Sequence, residues 1–145
     1  MKKVYFNYAD RLLWVKNKKA LQGFINNIYI KEKIKLERLD YIFCSDSFLL
    51  KINQSYLQHN FYTDIITFNL SEKELELIGE IYISLDRIKE NSIKFKTPYK
   101  NELLRVIFHG ALHLCGYNDK TKEENITMRQ KENYYLALFL DFCFT

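Results

Sequence analysis

The chain has 145 residues, 48% apolar and 16% aromatic, with a net charge of +4; that predicts one domain over residues 1–145 and excludes a disordered chain. No apolar run approaches the roughly 18 residues of a membrane helix, and Asn7, Asp10 and Arg11 interrupt the apolar start too early for a signal peptide. Cys44, Cys115 and Cys143 are odd in number and form no CxxC, so they read as reduced thiols of a cytosolic protein.

Val4 to Tyr8 reads as a first strand. A helix over Lys18 to Lys31 places Leu21, Phe24, Ile25 and Ile28 on one face. Leu39 to Cys44 is a short apolar run of strand type, and Asp46 is the expected N-cap of a helix through Leu49, Leu50, Asn53 and Tyr56. Gln58 to Tyr62 reads as a loop. Two further strands, Asp64 to Phe68 and Ile78 to Ser84, suggest a hairpin, and a helix follows to about Lys94. Thr97 and Pro98 are the expected N-cap and first residue of the next helix. From Leu103 to Cys115 that helix is apolar on nearly every side, the mark of a helix at the centre of a domain, and Gly116 ends it. Thr121-x-x-Glu124 is a capping box that opens the last helix, which runs on through Met128, Tyr135 and Leu138. Four strands and about five helices in this order favour an α+β fold with a small mixed sheet.

The chemistry is concentrated in His109-Gly110-Ala111-Leu112-His113-Leu114-Cys115-Gly116-Tyr117-Asn118-Asp119. On a helix, His109 and His113 differ by about 40° and stand one above the other. Both then reach one cation about 2 Å from each nitrogen. Gly116 permits a sharp turn that brings Asp119 back under the helix end. The pattern H-x3-H-x2-G-x2-D has the spacing of the elongated zinc motif of metzincin proteases. Those proteases carry a general-base glutamate directly after the first histidine; here Gly110 stands there, which counts against peptide hydrolysis. Two neutral histidines and one carboxylate leave zinc a formal charge of +1, so a bound water is less acidic than with three histidines. Cys115 lies about 200° from His113 around the helix, facing the core.

Arg105 lies one turn before His109, placed either to clamp a phosphate or to pair with a carboxylate. Lysines cluster at 16/18/19, 31/33/35 and 94/96/100, but acids are nearly as many, so charge permits nucleic acid without requiring it.

These residues resemble the YbeY family of bacterial rRNA-maturation endoribonucleases, whose signature is HGxLHLxGYDH. His109, Gly110, Leu112, His113, Leu114, Gly116 and Tyr117 match it. Upstream, Ile52-Asn53-Gln54-Ser55-Tyr56-Leu57 and Tyr62-Thr63-Asp64-Ile65-Ile66-Thr67-Phe68 follow the family's LNxxYRxxDxPTDVLSFP, Gly79-Glu80-Ile81-Tyr82-Ile83-Ser84 its next strand, and Met128 and Glu132 its M-x3-E. The resemblance implies a zinc-dependent, single-strand-specific endoribonuclease with one Zn²⁺ held at His109, His113 and Asp119. It also implies cytoplasmic action on ribosomal RNA at the small subunit's 3′ end and in ribosome quality control, with the small subunit and its assembly factors as partners. Two positions depart from the family: Asp119 replaces its third histidine, and Leu57 replaces an arginine thought to contact substrate. His59 or Arg105 is a candidate to take over that contact. Thr63, Asp64 and Thr67 are candidates for a groove wall beside the metal, or else serve turn and strand chemistry. Glu132 reads as an exposed helix charge, with an outer partner of a zinc histidine as the other possibility. The alternative functions are a non-catalytic ribosome-assembly factor with a structural zinc and a metallopeptidase.

Overall fold

The computed structural model describes residues 2–72 and 76–144, the side chains of 142–144 excepted, so Cys143 lies outside the described side chains. Nine elements follow one another: β1 (Val4–Tyr8), α1 (Lys18–Lys31), β2 (Leu36–Cys44), α2 (Asp46–Leu57), β3 (Ile65–Asn69), β4 (Leu77–Ser84), α3 (Leu85–Lys94), α4 (Tyr99–Leu114) and α5 (Lys122–Phe144). The four strands form one mixed sheet in the order β1-β2-β4-β3. β1 and β4 lie parallel to β2, and β3 closes the edge antiparallel to β4. This is the α+β architecture expected from the sequence.

Alternation along the strands gives the sheet two unequal apolar faces. Leu39, Tyr41, Phe43, Ile81 and Ile83 face the main core, which α1, α4 and α5 cover. Cys44 and Ile66 belong to a smaller core under α2, with Leu49 and the partly buried Phe68 and Tyr82. α4 is buried along most of its length, through Leu103, Leu104, Val106, Ile107, Phe108, Ala111 and Leu112. Two buried phenols fix its position: Tyr41 Oη donates to the Ile107 carbonyl at 2.8 Å and Tyr29 Oη to that of Ala111 at 3.1 Å. Gly110 lets the helix lie close to the sheet. A Cβ there would come within 2.8 Å of Ile65 Cδ1 and 3.0 Å of Ile81 Cγ2.

Several boundaries differ from expectation, each for a local reason. Ser45, not Asp46, caps α2, its Oγ accepting from Phe48 N at 3.1 Å while Asp46 occupies the first turn. β2 starts three residues earlier than its apolar run, because Leu36 to Arg38 pair beside Leu77 and Ile78 on β4. Pro98, at ψ 140°, is the residue before α4, and Thr97 makes no capping bond to it. The helix ends behave as expected elsewhere. Tyr117 N–H donates to Leu112 O and Gly116 N–H to His113 O, a Schellman turn with Gly116 at φ +108°. At the start of α5, Glu124 N–H donates to Thr121 Oγ1 (3.1 Å) and Thr121 N–H to Glu124 Oε1 (2.9 Å), completing the capping box.

Candidate metal centre

His109 and His113 project from the same side of α4, their rings parallel within 3° and 6.5 Å apart between centroids. Each uses its Nδ1 inward. His113 Nδ1 lies 3.0 Å from the Tyr117 carbonyl, which can only accept, so this nitrogen carries the proton. His109 Nδ1 lies 2.6 Å from Glu132 Oε2 and donates to the carboxylate. In its neutral form each ring is thereby held in the tautomer that leaves the Nε2 lone pair free, the form a metal ligand needs. Glu132 is 5% exposed, its other oxygen accepting from Arg105 Nη1 at 3.2 Å. The expectation of an exposed charge is corrected. Met128, Glu132, Tyr135 and Phe139 recur at helical spacing on the buried side of α5, a periodicity already present in the sequence.

The Schellman turn brings Asp119 Oδ2 to 3.2 Å from His109 Nε2. That is close to the separation, about 3.3 Å, of two donors bound at about 2 Å to one tetrahedral ion. Two carboxylates thus flank one imidazole, and positive charge there is favoured. Burial works against the charged ring, but Glu132, Asp119 and Asp64 outweigh it and hold its pKa above the ordinary histidine value. The chemistry of the donors fits zinc. Among the described residues, however, no three His, Cys, Asp or Glu side chains already converge as a complete ligand set. His113 is the member that stands apart from the pair.

His109 and Asp119 open on a cavity of about 660 Å³. Thr63 and Asp64, from the segment leading into β3, form part of its wall with Glu102, Arg105, Met128 and Glu132, and Phe95, Asn125 and Arg129 lie around it. Burial pushes the Asp64 carboxyl above its usual range, against the pull of His109. Arg105 pairs with Glu132 and donates to Asn133 Oδ1 at 2.8 Å, the carboxylate-pairing alternative. Cys115 packs against the core, where burial pushes its thiol up to about 12.

The family model described as Endoribonuclease YbeY matches residues 8–139. The chain belongs to the YbeY endoribonuclease family. It is 43% identical over 135 residues to Endoribonuclease YbeY of Cytophaga hutchinsonii, covering 93% of this chain and 94% of the relative. The YbeY of Karelsulcia muelleri is 50% identical over 129 residues, covering 89% of this chain and 91% of the relative. A solution structure of TM1509 from Thermotoga maritima superposes with a TM-score of 0.64 at 27% identity, covering 92% of this chain and 88% of the other.

The remaining YbeY motif positions divide between the site and its supports. Thr67 pairs with Ile81 in the sheet and does not line the cavity, and His59 stacks on Phe61 outside it, 5.1 Å between ring centroids. Leu57, where the family has arginine, ends α2 at 39% exposure. Asn53 is a loop anchor: its Nδ2 donates to Phe61 O at 2.9 Å, and its carbonyl accepts from His59 N–H at 3.1 Å. Gly79 makes room for Leu114, whose Cδ1 would lie 2.7 Å from a Cβ.

Proposed function

We propose that this chain is a zinc-dependent endoribonuclease that cleaves single-stranded ribosomal RNA, with one Zn²⁺ held by His109, His113 and Asp119. The observation that carries the reading is the pair of Nδ1 hydrogen bonds, to Glu132 and to the Tyr117 carbonyl, which turn the Nε2 atoms of both histidines outward, that of His109 lying 3.2 Å from Asp119 Oδ2. Bound zinc supplies Lewis acidity toward a phosphoryl oxygen and lowers the pKa of water toward neutrality. Glu132 keeps the His109 ring oriented, and Arg105 holds Glu132. Asp64 and Thr63 shape the wall where substrate enters. The natural setting proposed is the cytoplasm, at 3′-end maturation of the small-subunit RNA and ribosome quality control, with the small subunit and its assembly factors as partners. Among the described residues no helix is long and apolar enough to cross a membrane.

The metallopeptidase alternative loses support at Gly110. A Cβ there would already lie 2.8 Å from Ile65 Cδ1 and 3.0 Å from Ile81 Cγ2, so the packing leaves no room for the glutamate that those proteases carry. Metal analysis of the purified chain beside Asp119→Ala tests the site, with zinc near one per chain expected in the wild type and lost in the variant. Cleavage of a single-stranded RNA should be chelator-sensitive and absent in His113→Ala. Undiminished zinc in Asp119→Ala, or cleavage indifferent to chelator, overturns the assignment.

A further inference from the structure

The floor of the cavity is acidic. Asp64, Glu102, Asp119 and Glu132 all line it against two arginines, and both of these face Glu132: Arg105 is engaged by Glu132 and Asn133, and Arg129 Nη1 lies 3.8 Å from Glu132 Oε1. Such a floor suits a cation and repels an RNA backbone. The grip on the strand therefore has to come from outside it. At its edge stands Phe95, 58% exposed, flanked in sequence by the exposed Lys94 and Lys96. Lys94 Nζ lies 5.6 Å from the ring centroid. The ring is presented by a rigid turn. Phe95 N–H donates to Asn91 O (2.9 Å), Lys96 N–H to Ile93 O (3.3 Å) and Thr97 N–H to Ser92 O (3.0 Å). Lys96 takes the left-handed position at φ 54°, where glycine is the usual occupant. A lysine occupies it at that conformational cost, as Lys33 does elsewhere in the chain.

We propose that Phe95 is the platform on which a base of single-stranded RNA stacks as the strand enters the cavity, with Lys94 and Lys96 holding the neighbouring phosphates. Aromatic rings interleaved with cations are how proteins hold single strands, because every base has a face to stack and every linkage a charge. Inside a duplex both faces of a base are covered by the base pairs stacked above and below it. The same residues therefore select single strands. This inference rests on the ribonuclease reading above.

The test is fluorescence anisotropy of the full chain with a labelled single-stranded RNA of about twelve nucleotides, beside the same sequence closed as a hairpin duplex. Phe95→Ala should weaken single-strand binding by roughly tenfold or more and leave duplex binding and the far-ultraviolet circular dichroism unchanged. Phe95→Trp should retain affinity. In a Trp14→Phe background its indole is the only one in the chain, and stacking should quench it when RNA is added. Lys94→Ala and Lys96→Ala should each reduce the salt dependence of binding by about 0.7 in log-log slope. Single-strand affinity unchanged in Phe95→Ala, or an unquenched indole, overturns the platform even where the wild type binds and cleaves RNA. A wild type that neither binds nor cleaves single-stranded RNA brings down the ribonuclease reading and the platform with it.

Discussion

Glu132 shows how one buried carboxylate organises the site. It accepts from His109 Nδ1 at 2.6 Å and from Arg105 Nη1 at 3.2 Å, so it sets the tautomer of a proposed ligand while its own charge is balanced. Glu132→Gln should lower zinc affinity roughly 10- to 100-fold, measured by competition with a chromogenic chelator; affinity equal to wild type would remove Glu132 from the site. That His109 and His113 share one side of a helix, and that Gly116 turns Asp119 back toward His109, was legible from spacing, because helix geometry and one left-handed residue fix those directions. Glu132 was misread because its partner lies 23 residues away on another helix, and residue type alone says surface. Phe95 drew no notice in the sequence, since an isolated aromatic between lysines does not reveal which cavity it borders.

At the scale of elements, α4 is held by close approach. Gly110→Ala places a methyl against Ile65 and Ile81 and should cost about 1–3 kcal/mol through overpacking, read as a lowered denaturation midpoint. Midpoints equal to wild type would show that the two isoleucine tips simply move aside. The ends of α1 and the whole of β1 matched their sequence periodicity, and the capping box of α5 formed as written. Boundaries failed where two residues competed for one role. Ser45 and Asp46 are both good caps, and Ser45 takes the capping position in extended backbone, with Asp10 accepting from its N–H and its hydroxyl. The early start of β2 was invisible for a different reason: Leu36 to Arg38 gain their strand partners from β4, about 40 residues on.

For the molecule as a whole, Glu32 joins three elements. Its carboxylate, at the end of α1, accepts from Tyr117 Oη at 2.6 Å, from Lys131 Nζ at 3.2 Å and from Tyr135 Oη. Burial disfavours its charge, but these donors outweigh burial and hold its pKa below the ordinary glutamate value of 4.5. The unfolded chain therefore binds the proton more readily. The stabilisation is fully present above pH 4.5 and is lost as pH falls through the lower folded value. Urea midpoints measured across the acid range should decline in the wild type, and Glu32→Gln should be less stable at neutral pH with a flatter acid limb. Equal slopes would assign the acid sensitivity elsewhere. None of this was readable in the sequence, where Glu32 is one acid among several lysines.

The residues proposed to hold the cation, and those that orient them, all fall between Arg105 and Glu132, in α4, its turn and the start of α5. The opposite wall is made by distant stretches of chain, around Thr63 and Asp64 and around Phe95. On the proposed reading, cation binding and contact with the strand would fall on separate lengths of the chain. A lineage can revise which strand it accepts by changing the second set while inheriting the first intact.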